Sequence, residues 1–599
     1  MRKKIVWMLV SFLMVLSLVI ASCAPEEVEE KKAEEKAAVV VKTEEKAVAE
    51  KVAEEKPGLL PPEVPKYGGT LTIQHNEPMG FDPAYTLLME CRSYWLTVEE
   101  LMRGDWTKGP AGSGETGWVS GFLGLINLET GSLAESWELP DNETIIFHIR
   151  KGVHWHNKPP ANGREFVASD AAWSIMRSFT TPTSYHFGAY SAEKRPKSAR
   201  ALDKYTLEVK VPAEMQGLML LVCGDFLWMN CPDVVQQYGD MKDWRNSIGT
   251  GPFILKDYVP GSLTYYERNP NYWMKDPLHP ENQLPYLDSV KILYITDLST
   301  QLAALRTGKL DRFSPISWDN AELLQKQCPE LKYRVSYGMS SVAFRMDKPE
   351  LPFKDLRVRR ALSMAINREE MVKEYYGGHA IVYSYPYYPL PDFSAYYVPW
   401  DELPESAKEP FTYNPEKARQ LLKEAGYPEG FKTKVVCGSA TEADFLSVIK
   451  EYLADIKVDM EIQQLESSIF RSLSRARKHE EGIIRGNLMT FLPFRLLEWR
   501  IESFDNHSFF ESERIRRAYD AINAAVGKND AEVSRQLRDL VPYMLEQCIQ
   551  IWCPAYEQYT MWWPWMQNYH GEITVGYDNE IDYPTYVWVD KALKKSMGY

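Results

Sequence analysis

A chain of 599 residues exceeds what one hydrophobic core fills, so two or three lobes are expected. With 45% hydrophobic and 25% charged residues it has the makeup of a soluble globular protein, not of a collagen, a disulfide scaffold or a polytopic membrane protein. The formal charge of −14 repels phosphate backbones, so no nucleic-acid partner is expected, whereas 18 Trp and 35 Tyr suit stacking and amphipathic ligand walls.

In chain order, Arg2-Lys3-Lys4 precedes an almost unbroken apolar run, Ile5 to Ile20, and then Ala21-Ser22-Cys23. A short apolar core ending in small residues reads as a secretory leader rather than a spanning helix. Small residues before a cysteine resemble the bacterial lipobox, which makes 1–22 a signal peptide and Cys23 the lipidated first residue. An uncleaved anchor helix is the competing reading. Either way, the rest of the chain lies outside the cytoplasmic membrane. The stretch to Lys66 is rich in Glu, Lys, Ala and Val, cannot bury enough apolar surface to offset its ordering entropy, and reads as a flexible tether over 23–66. Cys223/Cys231 and Cys548/Cys553 are close enough in sequence to bridge, although neither spacing establishes a bond.

Thr70–Ile73 and Thr144–Ile149 read as strands. Gly112-Ser113-Gly114-Glu115-Thr116-Gly117 matches a dinucleotide fingerprint but follows loop sequence, so a turn is expected. His148, His154 and His156 are dense, and alternation puts the last two on one strand face. No carboxylate or thiol stands nearby at ligand spacing, so packed or surface histidines are expected. Two helices fill Pro352 to Gly378, the first capped by Asp355 with Val358, Leu362 and Ile366 on one face. Asn414-Pro415 opens another helix that Gly426 stops. Lys434–Cys437, Glu442–Ile456 and Val458–Ile462 then form a strand–helix–strand unit, so the lobes are α/β. No GxxxxGK[ST], HExxH or GxSxG motif occurs, and neither metal nor cofactor is expected.

Several segments then follow one pattern: Tyr67-Gly68-Gly69-Thr70-Leu71, Phe81-Asp82-Pro83-Ala84, Leu133-Ala134-Glu135-Ser136-Trp137, and Phe147 through His156. Gly249-Thr250-Gly251-Pro252-Phe253, Glu267 through Trp273, and Arg357-Val358-Arg359-Arg360-Ala361-Leu362 continue it. From about Tyr67 to the C-terminus the chain resembles the family 5 solute-binding proteins of ABC importers, the oligopeptide-, dipeptide- and nickel-binding group. That resemblance implies a two-lobed periplasmic-binding-protein-like fold, type II and cluster C-like, with an extra small domain. By analogy lobe I is 67–92, 200–312 and 556–599, the inserted subdomain 93–199 and lobe II 313–555. Hinge connections fall near Asp311–Phe313 and Pro554–Tyr556. It further implies a monomer that is not an enzyme, serving permease subunits whose ATPases are cytoplasmic.

Peptide binders of the family typically carry Trp-x-x-Asp in the second lobe, the acid pairing the peptide ammonium. The corresponding stretch, Gly486 to Phe494, has neither residue, and Glu77 is the candidate substitute. By the same analogy the cavity wall comprises Asn76, Glu77, Met79, Trp318, Tyr337, Met339, Ser340, Leu488, Phe491, Trp552 and Tyr556. Trp562, Trp563 and Trp565, which lie past the crossing, are expected to be packing and surface. The cargo is read as an oligopeptide-like or other elongated organic solute, with an oligosaccharide as the alternative. A cell-surface glycoside hydrolase with an aromatic cleft, and a receptor feeding a sensor instead of a permease, stay open.

Overall fold

The computed structural model describes residues 64–85, 95–119, 125–387, 389–487, 496, 499, 503, 505–576 and 582–599. Cys23, the leader and most of the tether lie outside these residues, as do Leu488 and Phe491.

The chain enters on β1 (Thr70–Gln74), whose alternation buries Leu71 and Ile73. It then leaves for a separate antiparallel sheet: β2 (Ala134–Asp141), β3 (Thr144–Ile149), β4 (Ser198–Ala201) and β5 (Thr206–Lys210), ordered β2-β3-β5-β4. Helix α1 (Ala168–Thr180) covers β4 and β5 with Ala168, Ala171, Ile175 and Phe179, a helical stripe. Helix α2 (Gln216–Asp225) is apolar nearly throughout and buried along its whole length.

The main sheet resumes with β6 (Phe253–Val259), β7 (Leu263–Arg268), β8 (Ser289–Leu293) and β9 (Arg312–Ser317). After α3 (Trp318–Gln327) come the long β10 (Lys332–Phe344), α4 (Leu356–Met364), β11 (Ala380–Ile381) and α5 (Pro415–Glu424). Next in the chain are β12 (Phe431–Cys437), α6 (Ala440–Asp455), β13 (Val458–Gln464), β14 (Gly482–Asn487), α7 (Glu513–Ala525), α8 (Asp530–Gln547) and β15 (Gln550–Trp562). Among the described residues these strands join in the order β13-β12-β14-β10-β15-β9-β1-β8-β7-β6, with β11 beside β15.

Local signals explain much of this. The Asp355 side chain accepts from the N–H of Arg357 to start α4, while Ile366 lies past the helix end but is still buried. The second helix of that pair runs from Arg368 through a π-turn at Met371–Tyr375, and Gly377 and Gly378 end it at φ +59° and +89°. Asn414 caps α5 and Ser439 caps α6, so β12, α6 and β13 form a parallel strand–helix–strand unit with Phe431 opposite Val458. The glycine-rich stretch from Gly112 to Gly117 is turn and loop.

Two expectations change. His154 and His156 do not share a strand face. Trp155 N–H bonds to the Arg164 carbonyl and His156 N–H to that of Gly249, so the backbone serves two different neighbours and no strand forms. His154 is exposed, whereas His156 is enclosed, and burial lowers its pKa to about 4. Cys223, Cys231, Cys548 and Cys553 are buried free thiols. The last two lie against the carbonyls of Leu545 and Ile551, so neither spacing has become a bridge.

The sheet narrows in the middle. Along β10, residues 332–338 lie opposite 562–556 of β15, while Met339 lies opposite Ala555 and Ser341 to Ala343 opposite 552–550, with an irregularity between Met339 and Ser341. On β15, strand β9 takes only Gln558–Trp562, and on β10, strand β14 takes only Met339–Phe344. The two halves of this two-lobed α/β protein are therefore joined through β10 and β15, with the two-residue β11 alongside. Below the first half, Trp563 and Trp565 stack at 4.7 Å. The indole N–H of Trp565 and the Lys594 ammonium both reach the buried Asp311 carboxylate. These tryptophans and Trp562 are all buried packing, and none lies at the surface, contrary to that part of the expectation.

Candidate functional site

At the narrowing, Gly338 of β10 faces Tyr556 of β15. A Cβ at Gly338 would lie 2.7 Å from the tyrosine ring, so glycine is what lets the ring lie flat across the strand. Tyr376 stacks on Tyr556, with centroids 5.7 Å apart and planes 15° apart, and the Ser340 hydroxyl stands beside its phenol. Burial raises the Tyr556 phenol, keeping it neutral at physiological pH.

The left-handed pair Gly377-Gly378 brings His379 back over the start of α3. Trp318 stacks on its imidazole at 4.7 Å and 10°. A Cβ at Gly377 would touch the indole at 2.9 Å. His379 Nδ1 lies 2.8 Å from Glu557 Oε2, and the same oxygen accepts the Tyr559 hydroxyl at 2.6 Å. His379 Nε2 lies 3.5 Å from Glu322. Glu557 is buried, and its backbone N–H donates to the His379 carbonyl. Its charge is thus held by two side-chain partners, as a buried carboxylate requires.

Of the residues singled out from sequence, Trp318, Tyr337, Ser340 and Tyr556 gather here, Tyr337 lying opposite Glu557 in the strand register. Asn76, Glu77 and Met79 form an exposed loop after β1. Glu77 Oε1 already accepts the Tyr258 hydroxyl at 2.6 Å and the Gly261 N–H at 2.9 Å. Met339 and Trp552 are each 1% exposed. Met339 receives the Ser384 hydroxyl on its sulfur, and Trp552 stacks on Tyr385 at 3.5 Å. Both are therefore walled in by neighbours. Leu488 and Phe491 lie outside the described residues.

Sequence reading missed Tyr376, His379, Glu322 and Glu557. The one available signal was the Gly377-Gly378 stop, which says that the chain reverses but not where His379 lands. Among the described residues no group of three or more His, Cys, Asp or Glu is placed to hold a metal ion. No described helix is long and apolar enough to cross a membrane. What the arrangement offers is non-covalent: flat aromatic faces from Trp318, Tyr376 and Tyr556, hydroxyls from Ser340 and Tyr556, and carboxylates at Glu322 and Glu557.

Three comparisons bear on this arrangement. The family model of the bacterial extracellular solute-binding proteins, family 5, matches residues 130–495. Heme-binding protein A of Haemophilus influenzae is 28% identical over 378 residues, covering 59% of this chain and 61% of that protein, so the match spans less than two thirds of this curated relative. In structure, the periplasmic binding protein DppA of Helicobacter pylori, solved with the peptide STSA, aligns at a TM-score of 0.65 and 22% identity, covering 90% of this chain and all of the other. The oligopeptide-binding protein AppA of Bacillus subtilis, solved with a nonapeptide, aligns at 0.67 and 19%, covering 88% of this chain and all of the other. At these identities the structural likeness speaks for the fold.

Proposed function

The chain belongs to the bacterial extracellular solute-binding proteins of family 5, and from that premise we propose that it is the extracytoplasmic receptor of an ABC importer. It encloses an oligopeptide-like or other elongated organic solute between its lobes and presents it to a permease. The observation that carries this reading is the narrowing of the main sheet to β10 and β15, with aromatic and hydroxyl groups gathered on it. A two-strand joint bends more easily than a full sheet, and hinge closure around a solute needs such a joint.

The separate sheet runs on through β5 (Thr206–Lys210), so we place the inserted subdomain at about 93–210 instead of 93–199, and lobe I at 67–92, about 211–337 and 556–599. The strand register favours one adjustment to the hinge. The return crossing falls at Ala555–Tyr556, but the outward crossing is better placed at Gly338–Ser341 than at Asp311–Phe313, because Lys332–Tyr337 still pairs with the half of β15 that also carries β9. Solute contacts are assigned to Trp318, Tyr337, Ser340 and Tyr556 with Asn76, Glu77 and Met79 opposite, and Met339 and Trp552 are assigned to packing. Because two donors already hold Glu77, the ammonium of a peptide is better met by Glu322, whose side chain is 46% exposed beside His379.

Native mass spectrometry of the purified full chain tests the reading, with a retained small organic solute as the expected result. After the solute is stripped by unfolding and refolding, re-adding it should compact the small-angle scattering profile. Tyr556→Ala and Trp318→Ala should each weaken rebinding at least tenfold. No retained or rebound solute, together with turnover of a screened glycan, would move the reading to the hydrolase.

A further inference from the structure

We propose that the two lobes are held together by a seam that touches no solute, in which Gly217 and Asp392 are positioning residues that set affinity from outside the cleft. This rests on the two-lobed receptor reading above and adds to it.

One end of the seam is a carboxylate. Asp392, on the short turn Pro391–Phe393 of lobe II, is buried and points at the loop 116–119 of the inserted subdomain. Its Oδ2 accepts the Gly117 N–H at 3.0 Å, and its Oδ1 accepts the Val119 N–H and the Thr116 hydroxyl, both at 3.2 Å. Three donors on a buried carboxylate make charge-assisted bonds, and parting the lobes exchanges all three for water at once. Gly117 leaves room for this approach, since a Cβ would lie 2.7 Å from Asp392 Oδ2 and 2.6 Å from an Arg334 nitrogen.

The other end is a backbone contact. The first turn of α2 carries Gly217 against the segment that follows α7, where a Cβ would lie 1.7 Å from the Val526 carbonyl oxygen. Only a hydrogen fits in that space. Ile522 and Val526 are fully buried, and α7 packs along α2. Beside them the Asp530 carboxylate, at the start of α8, lies near the backbone N–H groups of Ile126 and Asn127. Residues 116–119, 126–127 and Gly217 on one side thus meet Asp392, Ile522, Val526 and Asp530 on the other.

None of these residues lies on β10 or β15, so bending at the joint separates them. Because the contacts use protein groups alone, the closed form is populated before solute arrives, and apparent affinity scales with that population. The solute then adds to a closure that the seam already favours.

Hydrogen exchange on the full chain, stripped of solute by unfolding and refolding, tests this. In the unmodified protein the amides of Gly117, Val119, Ile126 and Asn127 should be protected. Gly217→Val should speed exchange at Gly117 and Val119 at least tenfold, although the valine touches neither, and should expand the scattering profile. Asp392→Ala should do the same at Ile126 and Asn127, while Asp392→Asn, which keeps the Oδ1 acceptor, should restore part of the protection. Amides of β8 and β12 report whether each variant is folded. If Gly217→Val loses protection there, Asp392→Ala decides alone: faster exchange at Ile126 and Asn127 supports the seam, and no change overturns it. The proposal also fails if Gly117 and Val119 exchange in the stripped, unmodified protein as fast as in Gly217→Val. If no solute alters the profile but Gly217→Val still opens it, the receptor reading falls and the seam stands.

Discussion

Trp318 and Trp552 are the same residue type in two settings. Trp552 is 1% exposed and lies flat against Tyr385, so Trp552→Ala leaves a cavity and should cost about 3–5 kcal/mol in urea unfolding. Trp318 is half-buried over His379, and Trp318→Ala should cost within about 1.5 kcal/mol while still weakening solute binding. A similar loss of stability in both would remove the distinction. Histidines set a second residue-scale expectation. Burial lowers His156 to about 4; burial with the Arg345 charge lowers His479 to about 4, and burial with the Arg485 charge lowers His507 to about 3. An unfolded histidine titrates near 6.5, so between that pH and 4 the unfolded chain binds protons that the folded protein refuses. Stability is therefore complete above about 6.5 and falls as the pH drops, by about 2 kcal/mol per histidine at pH 5. Urea midpoints measured from pH 7 to 5 should fall accordingly, and His156→Gln should flatten the slope.

At the scale of elements, local chemistry was legible where it acts within a few residues. The caps at Asp355 and Asn414 and the stops at Gly378 and Gly426 all stand where the sequence places them. Asn414→Ala should cost about 1 kcal/mol and Asn414→Gly only a few tenths, read from urea midpoints, because the side chain accepts the Lys417 N–H that starts α5. Strand β10 was less legible. It starts at Lys332, and Lys332 and Tyr333 are exposed and carry no alternation that would mark the start. The His154/His156 error has the same root. Alternation is a valid strand signal only if one neighbour pairs with the whole run, and here two neighbours share it.

For the whole molecule, the main sheet continues from one lobe into the other, and everything joining them along it passes through β10, β15 and the short β11. The seam at Asp392 and Gly217 closes the same two bodies from a different side. We further propose that the receptor is tethered through Cys23, with the acidic segment before Tyr67 as a leash. Cys23→Ala should shift the protein from the membrane to the soluble fraction, or leave the unprocessed precursor, when fractions are probed by immunoblot. A variant that stayed lipidated and membrane-bound would refute the anchor.

The amino-acid order alone determined the α/β class, the caps and turns, and the run of motifs by which the family resemblance was stated, since each depends on neighbours a few positions away. It also singled out four of the residues that meet at the joint. Tertiary structure decided which aromatic rings are enclosed and which stay reachable, because Trp318 and Trp552 differ only in what distant segments place against them. It likewise decided that Glu77 is already held by Tyr258 and Gly261, that His379 Nδ1 lies 2.8 Å from Glu557, and that Gly217 faces a carbonyl. Burial is a property of strands and helices brought together from far along the chain, and no local pattern encodes it.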